Sequence, residues 1–320
     1  MSEVWNLDWP RSLGGAVISG DFRTEPEDFL VDELAAPTAD SNGEHAYLLV
    51  KKRGANTAWV AKELAKLAGV QSRDVSFYGL KDRHAVTTQW FSVWLGQKPA
   101  ADWSALNSGE VTVLQAFHGP RKLRRGEHMG NRFKIRLRNV EGDRDQAEEV
   151  LKRIPEGVPN YFGEQRFGID GNNLSLVRSL AEEDGRCRKS EKVFAMSAAR
   201  SWLFNQVLAE RVNLSSWRSV VDGEPEGQPS GPLWGRGRGL STLALGELEQ
   251  QVLSSWHSWC NWLEHCGLKQ ERRSLVLSPE AFQYQWEGDH LLLEFALPPG
   301  TFATALLREI AQLVNVRQRT

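Results

Sequence analysis

The sequence predicts an α+β protein of about two domains, and three observations support this class. The chain has 320 residues, of which 41% are hydrophobic and 25% charged, an ordinary globular composition. Strand-like and helix-like segments are mixed along it without regular βαβ alternation. No apolar run approaches the roughly 18 residues of a membrane span, and no secretory signal pattern opens the chain. We therefore expect a soluble cytoplasmic protein.

The first hundred residues predict strands around one short helix. Four strands are expected, at 29–34, 46–51, 75–78 and 88–95. Asn56 or Thr57 can cap a helix whose apolar side chains recur at helical spacing, and Gly69 supplies its left-handed end. The last two strands enclose the loop 79–84, which carries several charged residues.

The remaining elements alternate between helix and strand without a repeat. They are a strand at 132–138, a charged helix at 144–154, a long helix capped by Ser197, a helix at 248–267, a strand at 290–297 and a helix from 304 to about 314. Pro155, Gly157 and Pro159 break the chain after the charged helix and indicate a domain boundary there. The Gly- and Pro-rich stretch 223–232 is expected to be loop throughout.

Charge is distributed unevenly, although the net charge is only −2. Residues 117–140 carry eight Lys and Arg against one acid, Glu127, while residues 21–45 carry eight acids against one base, Arg23. Within 132–138 the bases alternate with apolar residues, which predicts a strand with one apolar and one wholly basic face. Such a face suits a sugar-phosphate backbone, whereas a solvated surface is the simpler interpretation of a charge run.

Several weaker motifs do not support a cofactor or metal. The stretch Gly235–Gly239 lacks the spacing of a nucleotide-binding loop. A zinc site at 257–266 is disfavoured because its His and Cys residues show no ligand pair at the usual spacing, and the Trp and Leu residues between them indicate core packing. The acids of 21–45 also lack ligand spacing, which disfavours a metal-dependent nuclease.

Asp82 is the candidate nucleophile on physical grounds. It lies in the loop 79–84, and its neighbours Lys81, Arg83 and His84 favour the ionised carboxylate. A turn aspartate that bonds its own backbone is the commoner explanation of such a residue. The residue pattern alone leaves both interpretations open.

The segment Gly79–Gln89 resembles the Gly-x-Lys-Asp-x-x-Ala-x-Thr-x-Gln segment of the tRNA pseudouridine synthase D (TruD) family. Further blocks resemble this family in the same order, namely Pro26–Phe29, Lys122–Gly126, Gly130–Phe133, Val158–Gly168, Ser197–Asn205 and Pro299–Glu309. The matches span residues 22–309, nearly the whole chain. The stretch 213–276 resembles the family least.

The resemblance implies a cofactor-free isomerase that converts a uridine in tRNA, usually uridine 13, to pseudouridine. It also implies an α+β pseudouridine synthase catalytic domain into which a family-specific TRUD domain is inserted. We expect the catalytic domain at 1–156 and 277–320, and the insertion at 157–276. The implied partner is tRNA, with no membrane and no obligatory protein partner, and we expect a monomer.

Four residues match family positions of known role. Asp82 matches the nucleophilic aspartate, which can attack ribose C1′ or base C6, or abstract the 2′ proton to give a glycal; these routes stay open. Phe29, Asn131 and Phe302 match substrate-binding positions, where the rings would contact the substrate and the amide would read the uracil edge. We expect Lys122, Arg124 and Arg125 to contact the tRNA backbone.

The family pairs its aspartate with a cation, and two arginines are candidates. Arg23 is the first, in Asp21–Phe29, and Arg308 is the second. A different class of function is a catalytically silent RNA-binding protein or tRNA chaperone on the same scaffold. Retention of Asp82 within a matching loop favours the enzyme over this alternative.

Overall fold

The computed structural model describes residues 5–183 and 185–315, and packing divides them into two compact units. The helical unit comprises 5–16, 148–278 and 301–311, and the sheet unit comprises 17–147, 279–300 and 312–315. The segments 5–16 and 301–311 thus pack with the middle of the chain. The division into a catalytic domain (1–156 and 277–320) and an insertion (157–276) concerns function and stays a prediction.

Within the described residues the elements alternate irregularly, as expected for an α+β fold. The strands are β1 (Ile18–Phe22), β2 (Phe29–Leu34), β3 (His45–Arg53), β4 (Val75–Phe77), β5 (Val86–Trp94), β6 (Val111–Gly119), β7 (Gly130–Gly142), β8 (Val158–Pro159), β9 (Ser230–Leu233), β10 (Glu271–Ser274), β11 (Val276–Leu277), β12 (Glu280–Glu287), β13 (His290–Leu297) and β14 (Ala311–Asn315). The α-helices are α1 (Thr57–Leu67), α2 (Arg144–Arg153), α3 (Asn172–Glu182), α4 (Lys189–Asn213), α5 (Leu243–Leu253), α6 (His257–Glu264) and α7 (Ala303–Ile310). None of these helices is both long and apolar enough to span a membrane.

The sheet unit is built on a ten-stranded mixed sheet. Its main path runs β12-β13-β7-β2-β5-β3-β6, while β1 pairs with β7 and β14, and β4 pairs with β5. The pair β2–β5 is parallel, and the other pairs of the main path are antiparallel. Helix α1 covers the sheet with Val60 and Leu64, which pack in one buried cluster with Leu48 and Phe91.

Local sequence signals predict several elements of this unit correctly. Strands β2 and β13 have the predicted bounds. Asn56 is the cap of α1, because its Oδ1 accepts a hydrogen bond from the Ala58 amide at 2.8 Å. Gly69 follows this helix with φ +62°, the left-handed conformation that glycine tolerates best. The strands β1, β6 and β12 were not predicted.

The helical unit has an aromatic core. Trp202 contacts Trp9 with ring centroids 5.0 Å apart and Trp256 at 5.4 Å, both edge to face. Trp256 in turn contacts Trp259 at 4.8 Å. Such edge contacts add about 0.5–1.5 kcal/mol per pair beyond area burial, so the tryptophans of 5–16 and 202–259 tie distant segments of the chain together.

Two helix predictions in this unit are wrong at their bounds. Helix α4 begins at Lys189 rather than after Ser197, because Glu191 caps it by accepting the Arg188 amide hydrogen at 2.8 Å. The predicted helix 248–267 is two helices, α5 and α6, separated by the 3₁₀ turn Ser254–Trp256. That turn brings Trp256 against Trp202, so tertiary packing overrides the helical pattern.

Two further predictions fail where strands form. The expected loop 223–232 contains most of β9, an edge strand paired with β10 in which Pro232 lies opposite Arg272. An edge strand accepts proline because one side of its ladder needs no donor. The last helix, predicted to reach 314, ends at Ile310, and β14 follows because the chain there pairs with β1.

Candidate active site

Three buried polar residues lie on one face of three neighbouring strands. They are Glu33 on β2, Gln89 on β5 and Lys52 on β3, with residue exposures of 7%, 0% and 0%. Thr87 of β5 stands opposite both Val31 and Lys52, so residues two apart along each strand place these side chains on the same face. We call Glu33, Lys52 and Gln89 the polar platform.

Glu33 holds the loop residue next to the candidate nucleophile. Its Oε1 lies 2.6 Å from Lys81 Nζ, and both side chains are almost fully buried. Its Oε2 accepts the Trp90 amide hydrogen at 2.9 Å. Both carboxylate oxygens are therefore bonded, which offsets the cost of burying this charge.

Gln89 fixes the start of the same loop. Its Nε2 donates to the Gly79 carbonyl at 3.0 Å, and its Oε1 accepts the Thr57 hydroxyl at 2.9 Å. Thr57 Oγ1 accepts the Lys81 amide hydrogen at 3.1 Å. Because Asn56 caps α1, the Thr57 hydroxyl is available for this link between helix, strand and loop.

Lys52 reaches Asp82 itself, through the backbone. Its Nζ donates to the carbonyl oxygens of Asp82 at 2.9 Å and Ala55 at 2.8 Å. Burial lowers the pKa of Lys52 to about 8, an effect that the Asp82 charge opposes and the Lys81 charge reinforces. The platform thus holds the loop at residues 79, 81 and 82.

The Asp82 carboxylate is paired with Arg23. Asp82 Oδ1 lies 3.3 Å from Arg23 Nη2, with side-chain exposures of 39% for Asp82 and 15% for Arg23. The guanidinium lies 4.1 Å from the ring centroid of Phe29 and 4.8 Å from that of Phe22. Burial lowers the pKa of Arg23, and Asp82 partly offsets this. Arg23 also adopts φ +59°, a sparsely populated conformation for a non-glycine residue.

Phe29 supports this ion pair from below. It is 2% exposed and packs against Phe22 and Phe133 with ring centroids 5.5 and 6.0 Å away. The Phe29 ring therefore supports the Arg23 guanidinium through a cation–π contact. Contact between this ring and a substrate base stays a prediction.

Asn131 is the second residue of β7 and lies on the same side of the sheet as the platform. It stands opposite Glu33 in the antiparallel β2–β7 ladder, and directly opposed residues share a face. Its Oδ1 is buried and has no hydrogen-bond partner in the described structure. A buried acceptor without a donor costs about 1–3 kcal/mol, so this oxygen is suited to a donor from a bound molecule.

Phe302 and Arg308 lie in the helical unit. Phe302 is half-buried, with its ring centroid 6.0 Å from Phe162 and 5.5 Å from the Arg166 guanidinium. Arg308 donates to the Trp9 carbonyl and lies 3.3 Å from Asp8 Oδ1. Of the two candidate cations, the structure pairs Arg23 with Asp82. The contact of Phe302 with substrate stays a prediction.

The basic strand has the predicted alternation of one apolar and one basic face. Its apolar residues Phe133, Ile135 and Leu137 are buried, whereas its bases face carboxylates. The ion pairs are Lys134–Glu294 at 4.0 Å, Arg136–Glu287 at 2.9 Å, and Arg138 with Asp28 and Glu25 at 2.9 and 3.2 Å. Neighbouring elements thus supply counter-charges to three bases of the predicted basic face, and contact of this face with a sugar-phosphate backbone stays a prediction.

The loop before β7 keeps its exposed cations. Lys122, Arg124 and Arg125 are all exposed; Lys122 Nζ donates to the Arg73 carbonyl, and Arg125 lies 5.6 Å from the Phe77 ring centroid. Their contact with a tRNA backbone stays a prediction.

Among residues 5–183 and 185–315, no group of three or more His, Cys, Asp or Glu side chains is arranged to hold a metal ion. Cys260, considered above as a zinc ligand, packs in the aromatic core, where burial raises the pKa of its thiol to about 12.

Sequence reasoning missed Lys52 and Glu33 as parts of the site. A signal was nevertheless present, because each continues the buried alternation of its strand. Phe29, Val31 and Glu33 share one face of β2, and Leu48, Val50 and Lys52 share one face of β3. A charged residue at the end of an apolar face indicates a buried group with a specific partner.

Comparison with known proteins finds relatives over nearly the whole chain. The model of the family tRNA pseudouridine synthase D (TruD) matches residues 13–184 and 224–310. The chain is 49% identical to tRNA pseudouridine synthase D of Cellvibrio japonicus, covering 98% of this chain and 96% of that one. It is 44% identical to the protein of that name from Marinobacter nauticus, with 98% and 96% covered.

A solved structure shows the same fold. The crystal structure of a protein described as tRNA pseudouridine synthase D from Methanosarcina mazei superposes with a TM-score of 0.70 at 21% identity, covering 97% of both chains. The fold is therefore α+β as predicted, and the family is shown by the sequence matches. On these grounds the chain belongs to the tRNA pseudouridine synthase D (TruD) family.

Proposed function

We propose that the protein isomerises uridine to pseudouridine in tRNA, at uridine 13, with Asp82 as the reacting carboxylate. The observation that carries this proposal is the Asp82–Arg23 pair. It combines a partly exposed carboxylate, a cation 3.3 Å away and a loop fixed by buried groups, in a chain of the TruD family.

The chemistry breaks two bonds of the uracil ring, N1–C1′ and C5–H, and forms two, C5–C1′ and N1–H. The N-glycosidic bond from N1 to C1′ breaks, the uracil turns, and a carbon–carbon bond forms from C5 to C1′. The carboxylate of Asp82 attacks ribose C1′ or base C6, or takes the 2′ proton. Uridine and pseudouridine are isomers, so the reaction needs no net oxidant or reductant, and we propose that it uses no cofactor.

Arg23 has two parts in this proposal. Its positive charge stabilises the ionised carboxylate that each of the three routes requires. Its guanidinium is held over Phe29 at 4.1 Å, so the ion pair is preorganised rather than assembled with each substrate.

Asn131 supplies the contact to the base. The uracil N3–H is a donor, and the buried Asn131 Oδ1 is an acceptor without a partner in the described structure. Its amide nitrogen can donate to a uracil carbonyl oxygen. This pairing would read the uracil edge.

Base extrusion is needed because the target is stacked inside folded tRNA. Stacking on an aromatic ring contributes about 1–3 kcal/mol per base, and Phe29 and Phe302 are the proposed aromatic contacts. We further propose that residues 1–156 and 277–320 form the catalytic domain, that 157–276 form the insertion, and that the protein acts as a cytoplasmic monomer.

Tritium release tests the activity and its position. Two tRNA transcripts labelled at uracil C5 are compared, one with uridine and one with cytidine at position 13, without added metal or cofactor. Because C5 must lose its hydrogen when it bonds to C1′, we expect release of one tritium per tRNA from the first and none from the second. Tight, salt-sensitive tRNA binding with no release from either transcript would replace the enzyme with a silent RNA-binding protein.

A further inference from the structure

Lys52 is a fully buried lysine in the sheet unit that pairs with no carboxylate in the described structure. Its side chain ends β3 on the buried face, and its ammonium bonds only two carbonyl oxygens, those of Ala55 and Asp82. Burying an ammonium without a direct counter-ion is costly, and proteins rarely retain one without a specific use. An apolar residue at this position would pack the sheet at lower cost.

The compensating charge for Lys52 belongs to Asp82. Desolvation lowers the pKa of Lys52, and the Asp82 charge is the effect that opposes it. Coulombic attraction acts equally on both partners, so the same interaction stabilises the negative charge on Asp82.

The hydrogen bond to the Asp82 carbonyl completes a clamp around the residue. On its N-terminal side, Thr57 Oγ1 holds the Lys81 amide at 3.1 Å and Glu33 holds the Lys81 ammonium at 2.6 Å. On its C-terminal side, Lys52 holds the Asp82 carbonyl at 2.9 Å. With the Lys81 amide, the Lys81 ammonium and the Asp82 carbonyl all held, the Asp82 side chain keeps its direction toward Arg23.

We propose that Lys52 is a positioning residue for the proposed nucleophile, which it serves by holding the Asp82 carbonyl and by placing a positive charge beneath the loop. The inference rests on the proposed function and adds a residue that does not touch the substrate. Misplacement of a reacting group by about 1 Å can cost about a hundredfold in rate, so the effect belongs in the chemical step.

The test compares Lys52→Met, Lys52→Gln and Lys51→Met. Lys51 precedes Lys52 on β3 and is exposed, so its variant is the matched control. We measure the single-turnover rate of tritium release at saturating enzyme, and the Kd for tRNA. For Lys52→Met we expect a rate about 10- to 100-fold lower with Kd within about twofold of wild type.

Lys52→Gln keeps a donor without the charge, and we expect it to recover part of the rate lost in Lys52→Met. Melting curves verify that each variant is folded, and if Lys52→Met is not, Lys52→Gln decides the question. A wild-type rate in a folded Lys52 variant, or an equal fall in Lys51→Met, would overturn the inference. Absence of release by the wild type would instead overturn the proposed function.

Discussion

Two clusters of buried charges, one in each unit, are arranged in opposite ways. In the helical unit, Arg211 and Glu224 are both fully buried and lie 3.2 Å apart, and Arg272 pairs with Glu249 at 2.7 Å. Arg211 also donates to backbone carbonyls, and Glu224 Oε1 accepts a backbone amide hydrogen. Every charge in this cluster therefore has an ion pair or a hydrogen bond with another buried group.

In the sheet unit, the charges converge on a carboxylate that stays open. Lys52 is buried without a direct counter-ion, Arg23 is mostly buried, and both act on Asp82, whose side chain is 39% exposed. The closed cluster stabilises a fold, whereas the open one holds a reactive group where a substrate can reach it. Buried charges alone therefore do not indicate a functional site, whereas buried charges that act on an exposed carboxylate do.

The largest effect is expected when the closed cluster is broken. Arg211→Met leaves Glu224 buried and short of its nearest cation, and we expect the free energy of unfolding to fall by about 3–5 kcal/mol. Urea denaturation measures this, with Arg218→Met as the control, since the Arg218–Glu156 pair is more exposed and worth about 0–1 kcal/mol. Turnover per folded molecule should stay unchanged; a specific loss of turnover would remove the contrast between the units.

The corresponding substitution in the open cluster is Arg23→Met, which removes the cation paired with Asp82. Loss of a preorganised charge at a reacting group typically costs about 10²- to 10³-fold in rate, and we expect that loss in single-turnover tritium release. Because Asp82 is partly solvated, unfolding free energy should change by only about 1 kcal/mol. Arg53→Met, which breaks an exposed pair with Glu27, is the control and should leave the rate intact. Unimpaired turnover in Arg23→Met would show that Arg23 is not the partner.

The protonation of Lys52 gives a pH dependence with a defined sign. Its pKa is about 8 in the folded protein and about 10.5 when unfolded. Between these values the unfolded state binds more protons, so wild-type stability should rise with pH relative to Lys52→Met, by at most roughly 3 kcal/mol. Denaturation at several pH values between 7 and about 10.5 measures the difference. A difference that does not vary with pH would mean that Lys52 is not a buried cation.

The smallest expected effect concerns Asn131. If its Oδ1 accepts the uracil N3–H, wild type should discriminate against tRNA carrying 3-methyluridine at the target by about 1–2 kcal/mol, roughly tenfold or more in kcat/KM. Asn131→Ala should turn over uridine more slowly and lose this discrimination. Asn139→Ala, on the same strand but exposed and bonded to Asp21, is the control. Equal discrimination by wild type and Asn131→Ala would assign the base contact elsewhere.

Local signals predicted much of the fold and the loop at the centre of the candidate site. The bounds of β2 and β13, the Asn56 cap and the loop around Asp82 follow from residues adjacent in sequence. The break between α5 and α6 does not follow from adjacent residues, because it places Trp256 against Trp202, which lies far away along the chain.

The rest of the site depended on register that sequence periodicity does not contain. The parallel pairing of β2 with β5 and the antiparallel pairing of β5 with β3 bring Glu33, Gln89 and Lys52 beneath one loop. The carboxylates that neutralise the basic strand likewise come from other elements of the sheet unit, among them Glu287 and Asp28. Charge counted along a chain therefore overstates the charge that a folded surface presents.

The most direct test of the account is single-turnover tritium release by Asp82→Asn. The substitution keeps the shape of the side chain and removes its charge, so tRNA binding should persist with Kd within about threefold of wild type. We predict no release above background under conditions where wild-type enzyme completes one turnover. Release at a rate comparable to wild type would show that another group reacts, and that the charges gathered around Asp82 serve only the fold.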